Sequence, residues 1–219
     1  MKLFSSSIGR KLLMALSGLF LVVFLTQHFL INVTSVFSED IFNMLSHFMG
    51  NNPLVQFILQ PVLIAGVLFH FVMGFVLEWQ NRKARPVTYA MYKGSKNSMF
   101  VSRNMIISGI VILSFLVLHF YDFWVPEMDY KYIKSLPEDP NRYYEELIHK
   151  FENPVRVGLY CLSFIFLALH LVHGLSSSTQ SLGTNNKYAR TIEKISYAFG
   201  IGIPLGFCFI ALYHFFIHF

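Results

Sequence analysis

Charge is what this sequence has least of. Only 13% of its 219 residues are Asp, Glu, Lys or Arg, against roughly 25% in an ordinary soluble domain. Cysteine is nearly absent too. Cys161 and Cys208 both lie inside apolar runs, which argues against a disulfide framework and against a thiolate metal site. There is no phosphate-binding glycine loop and no low-complexity tract. The apolar stretches hold no nucleophilic triad, paired carboxylates or zinc-ligand spacing. What the chain has instead is apolar bulk: 54% hydrophobic residues, with 24 Phe and 11 Tyr. That composition excludes disordered and collagen-like chains, and it leaves too little polar surface for a soluble protein of this size. An integral membrane protein is expected. The net charge of +5 therefore bears on topology rather than on nucleic acid, and no nucleic-acid partner is expected.

A membrane-crossing helix needs about 20 mostly apolar residues, and five stretches qualify: 12–33, 54–79, 104–125, 155–180 and 192–219. The fold class expected is all-α, a single membrane domain of five transmembrane helices, with an ordered outer loop at 126–154. Lys2, Arg10 and Lys11 precede the first run as they would in a signal peptide. The run is about twice the length of a signal h-region and no small-residue cleavage site follows it, so it reads as a retained helix. The connections alternate in charge. The N-terminal segment, the second loop and the fourth loop hold 12 basic residues, among them Arg82, Lys83, Arg85, Lys93, Lys96 and Arg103, with only Glu78 and Glu193 near them. The first and third loops and the C-terminal end, counted with the outer ends of the adjoining spans, hold 10 acids and 5 basic residues. The positive-inside rule then sets the N-terminus in the cytoplasm and the C-terminus outside.

Four of the nine histidines fall deep within spans: His28, His70, His119 and His170. An ionisable group at such depth is costly and usually has a task. At 1.5 Å per residue, His28 and His119 lie about 23 Å from the inner ends of helices one and three, and His70 and His170 about 14 Å from those of helices two and four. Two imidazoles facing each other at one depth are what bis-histidine haem ligation requires, so two layers imply two haems. Gly74 and Gly174 stand one turn from His70 and His170, where a flat macrocycle needs close backbone approach. Ser17 and Ser108 stand eleven residues, about three turns, before His28 and His119. Their hydroxyls are expected at haem propionates near the inner level, with Arg103 as a further propionate contact. Thr26, Asn32 and Ser114 are candidates to hold the second ring nitrogens. His173 competes with His170 as the ligand on helix four. At the outer level Asn43, His47, Gln56 and Gln60 are candidate quinone contacts. His149 is expected at the surface, and His214 and His218 at the outer interface.

These pieces resemble a known family. Phe24-Leu25-Thr26-Gln27-His28 with Asn32 four residues on, His70 with Gly74, His119, and His170-Leu171-Val172-His173-Gly174-Leu175 ending at Leu182-Gly183 are similar to the single-chain, five-helix, dihaem cytochrome b anchor of succinate dehydrogenase and fumarate reductase. The resemblance implies two haems b, with His70 and His170 on the proximal haem and His28 and His119 on the distal one. The family's His-x-x-x-Gly-Leu pattern favours His170 over His173. It implies docking to a flavoprotein and an iron–sulfur subunit on the cytoplasmic face of a bacterial inner membrane, a dimer of the complex, and electron transfer with a quinone, menaquinone above all. Some relatives carry a glutamate two residues before the helix-four ligand, on a proton path; here that position is Ala168. Two other readings compete. One is the dihaem anchor of a hydrogenase or formate dehydrogenase; the other is a cofactor-free small transporter whose histidines relay protons.

Overall fold

The computed structural model describes residues 6–83, 105–183 and 188–218, and among them there are helices and no strands. Seven helices follow one another: α1 (Ser7–Thr34), α2 (Glu39–Asn51), α3 (Val55–Lys83), α4 (Met105–Ile133), α5 (Arg142–Phe151), α6 (Pro154–Ser181) and α7 (Ala189–His218). Five of them, α1, α3, α4, α6 and α7, are long and apolar enough to cross a membrane. Each has 28 to 30 residues, about 42–45 Å at 1.5 Å per residue, which exceeds a hydrocarbon core of about 30 Å. The helices therefore run several residues past the limits that hydropathy alone sets.

Local signals explain where they begin. Ser6 accepts the Gly9 N–H at 3.0 Å, and Asn153 accepts those of Val155 and Arg156 at 3.0 and 3.1 Å, with Pro154 in the first turn. Both are N-caps that satisfy otherwise orphaned donors. α2 was not anticipated. It is specified by Ser38, which accepts the Ile41 N–H at 3.3 Å, and by Glu39 and Asp40 in a first turn that favours acids. A second difference lies in the outer loop. Pro126 has no N–H and would be expected to end helix three. Instead α4 continues to Ile133 by opening into π-turns at Phe120–Trp124 and Asp129–Ile133, which shift the hydrogen-bond register past the missing donor.

α6 is the central span, packing on α7, α1 and α4, while α3 lies against α1. α6 and α7 approach closely at Gly200, where an added Cβ would stand 2.9 Å from the Val172 backbone nitrogen. α2 and α5 pack on each other at one end of the bundle. Phe42 from the first and Leu147 and Phe151 from the second join Val157, Tyr160, Phe164, Phe207, Ile210 and Ala211 in the buried core. Elsewhere large apolar side chains such as Val23, Phe57, Leu68 and Val117 are exposed along the spans, as a surface meeting lipid would be.

Candidate functional site

Two pairs of histidines meet between the spans. The rings of His70 on α3 and His170 on α6 have centroids 6.3 Å apart and planes at 69°. Those of His28 on α1 and His119 on α4 are 5.7 Å apart at 87°. Two metal–nitrogen bonds of about 2 Å, with about 1 Å more from each nitrogen to its ring centre, put two axial imidazoles roughly 6 Å apart. Both pairs have that spacing. Among the described residues no third His, Cys, Asp or Glu joins either pair as a metal ligand.

Serine hydroxyls approach the first pair. Ser17 Oγ on α1 lies 2.9 Å from the Met14 carbonyl oxygen and 2.9 Å from His70 Nδ1. Ser108 Oγ on α4 lies 2.8 Å from the Met105 carbonyl oxygen and 3.2 Å from His170 Nδ1. A hydroxyl has one proton. With that proton on the carbonyl, the serine oxygen accepts from Nδ1–H, and the lone pair of a neutral imidazole is left on Nε2. That is the tautomer a metal ligand needs, fixed by its second nitrogen. Ser17 and Ser108, expected at propionates, are placed on the ring nitrogens of this pair.

The second pair is held by rings rather than hydroxyls. Phe24 stacks on His28 at 5.5 Å and 20°, and Phe115 stacks on His119 at 5.8 Å and 26°. Phe207 tilts against His28, and Phe123 and Tyr160 pack against His119. Asn32 Nδ2 donates to the His28 carbonyl at 2.8 Å and lies 3.5 Å from Nε2. His119 Nδ1 is buried without a hydrogen-bond partner among the described residues. Thr26 and Ser114 are not on the imidazoles: they donate to the carbonyls of Val22 and Ile110.

A repeat missed by reading histidines alone becomes visible here. Met14, Ser17, Gly18, Phe24 and His28 on α1 recur 91 residues later as Met105, Ser108, Gly109, Phe115 and His119 on α4. His70 and Gly74 recur 100 residues later as His170 and Gly174. Each repeated residue has the same role. An added Cβ on Gly18 would stand 3.4 Å from His70 Cε1, and one on Gly109 3.9 Å from His170 Cε1. A Cβ on Gly74 would meet the Met14 methyl, and one on Gly174 the Met105 methyl, both at 3.6 Å. Two hairpins, α1–α3 and α4–α6, thus contribute equivalent halves of both layers. The identical spacing Met-x-x-Ser-Gly-x5-Phe-x3-His was the signal in the sequence.

The outer candidates separate. His47 and Gln56 line one cavity of about 400 Å³ under the α2–α5 cap, with Asn51, Lys131, Arg142 and Tyr143. His47 Nδ1 lies 3.0 Å from Glu138, and the Tyr132 hydroxyl lies 3.4 Å from Gln56 Oε1. Arg142 is 7% exposed, pairs with Glu127 and lies over the Tyr130 and Tyr143 rings. Burial raises the Glu146 carboxyl above its ordinary value, opposed by Arg142 and Lys150. Asn43 is buried but serves the fold, its Oδ1 accepting the Tyr144 N–H at 2.9 Å. It does not line the cavity, and neither does Gln60. Arg103 lies outside the described residues.

His173 lines an apolar cavity of about 240 Å³ with Ala168, Val172 and Tyr197. His149 is exposed. His214, near the end of α7, is 1% exposed: Tyr144 of α5 packs on its ring, and its Nε2 lies 2.9 Å from Ser35 Oγ. Asp122, which falls within the expected third span and was given no role there, is 0% exposed.

Fold and site together define a helical, multi-pass membrane chain with two layers of facing imidazoles. Comparison with family models, curated proteins and solved structures returned no match.

Proposed function

We propose that this chain is the dihaem cytochrome b membrane anchor of a succinate:quinone oxidoreductase. The observation that carries the haem reading is the inner pair, two facing imidazoles at a spacing that suits one metal between them, with Nδ1 2.9 and 3.2 Å from the Ser17 and Ser108 hydroxyls; with those hydroxyls as acceptors, each Nε2 lone pair is left for a metal. Two ligands per layer are too few for a tetrahedral zinc site and suffice for an iron whose equatorial positions a macrocycle supplies. Haem, when bound, supplies a one-electron couple. The chain's own part is to hold and insulate: His70 and His170 in the inner layer, His28 and His119 in the outer, with serines fixing the first pair and Phe24 and Phe115 the second. Gly18, Gly74, Gly109 and Gly174 keep the backbone beside the inner pair free of side-chain bulk.

The succinate assignment rests on the resemblance of the first and fourth spans to that family. Dicarboxylate chemistry would reside in a flavoprotein, joined to this chain through an iron–sulfur subunit on the face carrying the basic loops. The positive-inside rule puts that face in the cytoplasm of a bacterial inner membrane and the C-terminus outside. His47 and Gln56, in the outer cavity, are the residues we assign to the quinone, menaquinone by the same resemblance; a polar group near a quinone oxygen delivers or accepts its proton. The test is a reduced-minus-oxidised spectrum of the purified chain with haem counted per polypeptide. Two low-spin b-type haems are expected, and succinate is expected to reduce them in the complex isolated with its partners. A folded chain without haem, made with ample haem supply, would sink the reading; haem that succinate leaves oxidised would sink only the succinate assignment.

A further inference from the structure

Asp122 stands three residues beyond His119 on α4, inside the π-turn Phe120–Trp124. It is 0% exposed. Its Oδ2 accepts the Tyr160 hydroxyl at 2.9 Å and lies 3.2 Å from Arg156 Nε, while Oδ1 is buried without a hydrogen-bond partner among the described residues. Tyr160 bridges the two sites, for its ring also packs on that of His119 with centroids 6.3 Å apart. A buried carboxylate within a span is expensive, and an ion pair there is weak evidence for stability because desolvation offsets the attraction. A tie between α4 and α6 needs no charge; a neutral amide would serve.

We propose that Asp122 is a positioning residue of electrostatic kind, which lowers the reduction potential of the haem held by His28 and His119; this inference rests on the dihaem reading. Reduction adds one negative charge at the iron. A fixed carboxylate nearby opposes that charge through a medium of low dielectric, where Coulomb interactions are strong. Arg156 does not cancel it. Its side chain is 27% exposed and that of Asp122 is 0% exposed, so water screens the positive member of the pair more than the negative one.

The experiment is a potentiometric titration of the two haems in the full chain, with the outer component identified as the one lost in His119→Ala. In Asp122→Asn, close in shape but without the charge, the outer component is expected to shift to higher potential and the inner one to stay. In Arg156→Gln, which removes the positive partner, the outer component is expected to shift lower. Opposite signs at one haem are what a purely structural role would not produce. If Asp122→Asn fails to fold, Arg156→Gln carries the test by itself. An unmoved outer component, or equal shifts of both haems in one direction, would overturn the inference and leave the dihaem reading standing. A wild-type chain without haem would overturn both.

Discussion

The inner and outer histidine pairs share α1, α4 and α6 and are held by different physics. In the inner pair the imidazoles come from α3 and α6, and serine hydroxyls from α1 and α4 lie on their Nδ1 atoms. In the outer pair the imidazoles come from α1 and α4, and phenylalanines one turn earlier on the same helices stack on them. A hydrogen bond to Nδ1 selects both a tautomer and a ring orientation. Stacking selects only a plane, since a ring turned over presents the same face to its neighbour. The inner layer is therefore specified by hydrogen bonding and the outer by packing. α1 and α4 each serve both layers, a serine at one level and a histidine three turns away at the other.

The sharpest way to break this symmetry is to remove one ligand at a time. His170→Ala is expected to cost the inner haem entirely and leave the outer, and His119→Ala the reverse, read as one haem per chain instead of two with different potentials remaining. Loss of both in either variant would mean that the layers do not assemble independently.

Next in size is the removal of the serine hydroxyls. Ser17→Ala and Ser108→Ala delete the acceptor of Nδ1–H and leave a buried donor unpaired. Outer-shell partners of this kind are typically worth about 10–100-fold in metal affinity. Haem affinity at the inner site is expected to fall by that order in each variant, with the outer site unchanged, measured by titrating haem into the apo chain.

How far the site was legible follows from the kind of interaction. Spans, depths and helical facing are one-dimensional properties, so counting residues along each span sets His28 level with His119 and His70 level with His170, and the rings meet at those levels. The serine assignments needed three dimensions. Spacing put Ser17 on the face of α1 that points into the bundle, but only the packing of α1 on α3 shows that an imidazole lies there. Asp122 was hidden for a different reason. It falls inside the span that hydropathy sets, but the residues that hold it, Tyr160 and Arg156, stand on another helix and are met only in the packed bundle. α2 was legible in its Ser38-Glu39-Asp40 cap and was passed over because a short amphipathic helix between two spans resembles a polar loop in hydropathy.

A packing change that touches both layers provides the control. At Gly200 an added Cβ would meet the Val172 backbone nitrogen at 2.9 Å and Cα at 3.1 Å, and backbone gives way less readily than a side chain. Overpacking of this kind costs about 1–3 kcal/mol. Gly200→Ala is expected to lower the unfolding temperature and to weaken haem retention in both layers, because Val172 lies two residues from His170 on the helix that also carries Tyr160. Selective loss at one layer would show that α6 and α7 do not move as a unit.

The smallest effect is expected where the outer pair is held by stacking alone. Phe115→Leu keeps an apolar side chain beside His119 and removes the parallel ring; Phe24→Leu does the same for His28. An aromatic pair is worth about 0.5–1.5 kcal/mol beyond its buried area, so outer haem release should quicken by roughly 2–12-fold at 1.4 kcal/mol per tenfold. The inner haem should be retained as before. The two variants should behave alike, since each stands at the equivalent place in its own hairpin. A difference between them would report what the repeat does not share: His119 has Tyr160 and Phe123 around it, whereas His28 has Phe207 from α7 and the Asn32 amide. Faster release from Phe24→Leu than from Phe115→Leu would mean that the Tyr160–Asp122 side of the layer is the firmer one.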